Sequence, residues 1–124
     1  QAALIKGTAP IRHLERADQI GLRAQLIFPN TMIATSSEFW ATYVARPVAA
    51  DRTVIDLRIR AEPEADPLAL VAALRSFIIE DIGACEAIQE AVGSPAFAIG
   101  PLARDHERPI ATFHENILSA MAPA

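Results

Sequence analysis

The sequence predicts an α+β domain, an antiparallel sheet with a long C-terminal helix packed across it. Three observations carry this expectation. β-forming runs separated by short turns fill the first half, a long stretch bounded by a helix N-cap and a glycine follows, and an amphipathic segment closes the chain. Strands first and helices after, with the helices on one face of the sheet, define the α+β class.

Residues 1–18 mix Gly7 and Pro10 with scattered charge and show no sustained period, so they read as loop with a short strand or turn. Leu22 to Thr35 is rich in β-formers (Leu26, Ile27, Phe28, Met32, Ile33). Pro29 in its middle has no N–H for a ladder, so the strand is expected to bend or break at Pro29-Asn30. Phe39 to Arg46 is a second β-rich run, closed by Pro47 and the turn-like Ala49-Ala50-Asp51-Arg52. In Thr53 to Arg60, Ile55, Leu57 and Ile59 alternate with Asp56, Arg58 and Arg60, the period of a strand with one wet face. Short connections between these three strands favour an antiparallel meander.

Asp66-Pro67 reads as an N-cap with proline at the first helical position, and Gly93 as a stop, which bounds one helix over Pro67 to Val92. Ser94 to Asp105, holding Pro95, Gly100 and Pro101, reads as loop. Ile110, Phe113, Ile117, Leu118 and Met121 recur at helical spacing and predict a last helix over Arg108 to Met121.

The chain has 124 residues, 52% of them hydrophobic and 21% charged, which suits a single soluble domain with a sizeable core. Cys85 is the only cysteine, which excludes an internal disulfide framework and a multi-cysteine metal site supplied by this chain alone. A formal net charge of -4 with no basic run argues against a nucleic-acid or anionic-membrane partner. No apolar run approaches the ~20 residues of a membrane span and none reads as a signal peptide, so the expected location is cytoplasmic. The opening Gln1 in place of Met suggests a processed or truncated product.

One carboxylate stands out. Leu70, Leu74, Phe77, Ile78, Cys85, Ile88 and Val92 lie three, four, seven or eleven positions from Asp81, so Asp81 falls in the middle of the long helix's apolar stripe. A lone buried charge costs several kcal/mol, so the residue is expected to meet a cation, accept hydrogen bonds or be protonated. The pattern leaves three roles open: a partner for Arg or strand donors, a metal ligand, or an acid/base. One carboxylate with two imidazoles is the ligand set of non-haem Fe(II) oxygenases. Glu80 reads as a solvated rim residue, whereas Glu86 and Gln89 lie on an adjacent flank.

The other candidates also carry two readings. Phe28, Met32 and Phe77 either line one apolar pocket between sheet and helix or fill it as core. Asn30, beside Pro29, is either a polar contact for substrate or oxygen or a turn-stabilising residue. His114 at the edge of the last apolar stripe reads as a packing or hydrogen-bonding histidine, and His13 and His106 as surface residues. Cys85 reads as a small core residue, and Trp40 and Tyr43 as strand residues that pack the sheet. No glycine-rich phosphate loop, nucleophile elbow or hydrolytic carboxylate pair is present.

Phe77-Ile-Ile-Glu80-Asp81-Ile-Gly-Ala-Cys85-Glu86-Ala-Ile-Gln89, followed by Ser94, Gly100-Pro101-Leu102, Glu107 and Phe113-His114, resembles the C-terminal part of Rieske-type ring-hydroxylating oxygenase α subunits. Leu26-Ile-Phe-Pro29-Asn30-Thr-Met32, Pro47 and Asp51-Arg-Thr53 resemble the same family in the same order, so the likeness spans about Gly21 to Leu118. The resemblance implies a helix-grip, START-like catalytic fold with a mononuclear Fe(II) held by two histidines and one aspartate. Asp81 matches the aspartate ligand, and Phe77 matches a position whose aromatic ring commonly lines the substrate pocket.

The departures are as informative. Such α subunits carry a Rieske domain with two Cys and two His for a [2Fe-2S] cluster, and nothing of that pattern is here. His13, His106 and His114 lack the spacing of the family's iron-binding pair. Residues 1–124 are therefore expected to be the C-terminal portion of a catalytic domain, an incomplete domain holding one iron ligand. The implied reaction uses O2 and electrons to hydroxylate an apolar aromatic substrate. Its implied partners are an N-terminal half with the Rieske domain, electron-transfer proteins and further copies, usually in a homotrimer. The competing expectation is a non-catalytic helix-grip module that binds a small apolar ligand or serves oligomerisation. A short sheet under one helix leaves an edge and an apolar face uncovered, so either reading predicts self-association of the isolated chain.

Overall fold

The computed structural model describes residues 11–15 and 21–122 and has an α+β fold, with four antiparallel strands followed by two helices. The strands are β1 (Arg23–Ile27), β2 (Thr31–Thr35), β3 (Phe39–Ala49) and β4 (Arg52–Ala61), lying side by side in chain order. The helices are α1 (Pro67–Val92), with the bounds its cap and stop predict, and α2 (Arg108–Met121), with the bounds its apolar repeat predicts. Of the loop expected over residues 1–18, residues 11–15 form a turn; 1–10 and 16–18 lie outside the described residues.

The sheet has four strands where the sequence suggests three, because Leu22 to Thr35 folds back on itself. Arg23 pairs with Thr35 and Ile27 with Thr31, leaving Phe28-Pro29-Asn30 as the turn of a hairpin. Pro29, after a cis peptide bond, occupies a turn position where its missing N–H removes no ladder bond. Asn30 fastens this turn to the next strand: its Nδ2 donates to the Ala45 carbonyl at 3.0 Å, and Ala45 N–H donates to the Asn30 carbonyl at 2.9 Å.

Ser36 makes the second turn. Its hydroxyl accepts from the N–H groups of Glu38 and Phe39 at 3.0 and 3.2 Å, a local alternative to ladder pairing that small hydroxyl residues favour. β3 runs past Pro47 to Ala49, and the pairing with β4 shifts register between these residues, where proline has no N–H to give. On the outer face of this pair the Arg60 guanidinium lies over the Trp40 ring at 5.7 Å.

α1 begins as its sequence dictates. The Asp66 carboxylate accepts from the N–H groups of Leu68 and Ala69 at 2.9 and 3.2 Å, and Pro67 fills the first turn, where no N–H is required. The core joins this end of the helix to the inner sheet face: Leu70 and Leu74 pack with Ala34, Phe39, Ala41, Tyr43 and Ala65. Residues 11–15 are tied to the same end. Ile11 N–H donates to the Ser37 carbonyl at 2.6 Å, and Arg12 binds Glu62 and Glu64 in the loop before α1. α2 meets the hairpin turn through the Phe113 and Phe28 rings, edge to face at 5.9 Å.

Candidate functional site

The inner faces of β3 and β4 and the underside of α1 diverge beyond the core and enclose an open cleft of about 1410 Å³. The alternation of β4 aims Ile55, Leu57 and Ile59 into it from the sheet, beside Tyr43 of β3. The helical repeat supplies Leu70, Val71, Ile78, Ile79 and Ile82 from the other wall. Charged and polar groups punctuate this apolar lining. Asp81, Arg75, Cys85, Glu86 and Gln89 project from α1, and Asp51, Arg52 and Thr53 stand at the turn between β3 and β4.

Asp81 therefore lies on the cleft wall, but it is exposed, and among the described residues it has no hydrogen-bond or ion-pair partner. The expectation that a cation or strand donors must face it is corrected by the packing. The apolar stripe around Asp81 is fully buried only as far as Leu74 and partly covered at Ile78, so water reaches the carboxylate and no buried charge has to be compensated. Cys85, one turn on, is likewise exposed instead of filling the core.

The other expected site residues lie apart from this cleft's lining. Phe77 is 63% exposed on α1, Phe28 packs on Phe113, Met32 is half-buried against the core, and Asn30 holds its turn to Ala45. His13, His106 and His114 are all exposed, and none lines the cleft. Conversely, the cleft is lined by Tyr43, expected only to pack the sheet, and by Arg75, for which the sequence pattern suggests no role. Tyr43 shares the buried alternation of Phe39 and Ala41, which marks it as inward-facing, and burial pushes its phenol up from the ordinary tyrosine value. Arg75 falls seven residues before Ile82, two turns along the same helix face, which was the available signal.

This is the class of α+β domain in which a long helix and an antiparallel sheet frame an apolar cleft. The chain belongs to the family of ring-hydroxylating alpha subunits, catalytic domain, whose family model matches residues 2–123. Comparison with curated proteins and with solved structures finds no match. The family is generally dependent on non-haem iron. The described residues do not fit a complete site for that metal, because no three of their His, Cys, Asp or Glu side chains converge, and the cleft offers carboxylates without imidazole. Among the described residues no helix is long and apolar enough to cross a membrane.

Proposed function

We propose that residues 1–124 form the C-terminal portion of the catalytic domain of an aromatic-ring-hydroxylating oxygenase, and that Asp81 is this portion's single ligand to a mononuclear Fe(II). The observation that carries the reading is the coincidence of the family match with a carboxylate that stands on the wall of an apolar cleft without a partner among the described residues. A carboxylate kept free of protein cations is available to a hard or borderline metal ion, and iron supplies O2 activation when bound. Ile55, Leu57, Ile59, Ile78 and Ile82 give the apolar surface against which an aromatic ring is held and water displaced. The two imidazole ligands, the Rieske [2Fe-2S] cluster and the electron-transfer proteins are supplied from outside these residues. The working assembly is a homo-oligomer located in the cytoplasm.

The test uses the complete gene product that carries these residues, purified anaerobically. It is expected to show Rieske absorbance and a mononuclear Fe(II) centre, read as the EPR signal of its nitric oxide adduct. Asp81→Ala is expected to lose the adduct signal while keeping the Rieske absorbance and the circular dichroism of the wild type. An adduct signal that survives Asp81→Ala would remove Asp81 from the metal site. The apolar lining also suits a non-catalytic small-ligand-binding module, and a complete gene product without Rieske absorbance or iron, yet binding apolar rings, would establish that reading instead.

A further inference from the structure

We infer that the Tyr43 hydroxyl is a specificity-determining hydrogen-bond donor that selects, among apolar ring ligands, those carrying an oxygen acceptor such as a carbonyl. The inference rests on the reading of the cleft as a small-molecule site.

Tyr43 is 7% exposed, at the middle of β3 between Met32 of β2 and Leu57 of β4 in the pairing register. Its ring belongs to the core, yet the residue also lines the cleft. The hydroxyl has no hydrogen-bond partner among the described residues. Every fully buried side-chain polar atom among these residues is paired, so the Tyr43 oxygen keeps accessible surface, on a residue that lines the cleft.

The neighbours make this hydroxyl consequential. Leu57 and Ile59 beside it on the sheet, and Ile78 and Ile82 across from it on α1, offer no donor or acceptor. A hydrocarbon seated on this floor displaces water from the phenol and leaves it unpaired, which costs more than a hydrogen bond gains. A ligand of the same shape with a carbonyl at that point accepts the O–H and avoids the loss. Sites built around one such donor reject the analogue lacking the acceptor far better than apolar pockets discriminate by size. The phenol is kept in its donor form, because burial disfavours the phenolate.

The matched probes are 1-indanone and indane, which share a ring frame and differ by C=O against CH2. Titrated into this chain, 1-indanone is expected to bind at least about fivefold more tightly than indane. Tyr43→Phe should bring the ratio close to unity by weakening the ketone alone. The infrared carbonyl stretch of bound 1-indanone should lie at lower frequency on the wild type than on Tyr43→Phe. Equal affinities in the wild type, or an undiminished preference in Tyr43→Phe, overturn the inference while leaving the cleft a ligand site. Binding of neither probe overturns the cleft reading, and the inference falls with it. Should Tyr43→Phe fail to fold, the wild-type infrared spectrum decides alone, since a bound ketone with an unshifted carbonyl has no donor at Tyr43.

Discussion

The two ends of α1 have the same kind of sequence and different surroundings. Leu70 and Leu74 near its N-terminus are 2% and 4% exposed, pressed on Phe39 and Ala41 of β3. Farther along, Ile78 still packs partly on the core, but the stripe itself stands open: Phe77 is 63%, Ile88 58% and Val92 50% exposed. Periodicity places all of these on one stripe, so what differs is whether a second surface meets the stripe. The packed end fixes the helix on the sheet. The open end carries Asp81 and borders the cleft, so ligand access and loose packing are two aspects of one divergence between helix and sheet.

The largest effect that tests this contrast is a pair of truncations. Leu70→Ala is expected to cost about 2–5 kcal/mol of unfolding free energy, the range for emptying a core leucine site, whereas Phe77→Ala should lie within about 0.5 kcal/mol of the wild type. Urea unfolding followed by far-ultraviolet circular dichroism measures both. A Phe77→Ala cost comparable to that of Leu70→Ala would mean that the open end is covered in solution, and its dependence on protein concentration would show whether a second copy covers it.

A smaller effect belongs to the cap that starts the packed end. Asp66 supplies the acceptor for two N–H groups of the first turn, so Asp66→Ala should cost about 1 kcal/mol. Asp66→Ser should recover most of it, because a hydroxyl caps almost as well. Amide hydrogen exchange sharpens the comparison further. Protection lost in Asp66→Ala should be confined to the first turns of α1 if the packed end opens as a local unit, and should spread along the helix if α1 opens as a whole.

The same contrast explains what was legible in the sequence. Both helices could be bounded because their signals are local: an aspartate before Pro67, Gly93 after Val92, and the apolar repeat from Ile110 to Met121. The hairpin was harder, since a β-rich run holding Pro29 reads equally as one bent strand or as two strands with proline in the turn, and only the pairing of Arg23 with Thr35 decides. Asp81 was found by helical spacing, which identifies a face correctly and says nothing about whether that face is covered. Hence the expectation of a compensated buried charge failed although the stripe itself was read correctly. Tyr43 was legible as a packing residue, and it does pack; that its hydroxyl has no partner among the described residues depends on what β4 and α1 place around it, which the local pattern does not show.

The smallest expected effect lies on the wet face of the sheet, away from both ends of α1. Arg46 donates to Asp56 through Nε at 2.5 Å and through its terminal nitrogen at 3.2 Å, across the β3–β4 pair. The Arg46 hydrogen bonds, with the charges of Arg46 and Arg58, hold the Asp56 carboxyl below the usual aspartate range against a smaller opposing effect of desolvation. A carboxyl whose folded value is depressed adds stability above its unfolded value and loses it as pH falls through the folded one. Asp56→Asn should therefore lower the urea midpoint slightly near neutral pH, and the gap from the wild type should close as the solution is acidified past the carboxylate range. Because both partners are exposed, added salt should narrow the same gap at neutral pH. A gap that persists in acid would show that Asp56 acts through the shape of its contact with Arg46 and not through its charge. If it instead closes in acid, Asp56 contributes through its charge, and its acid sensitivity is separate from the packing contrast along α1.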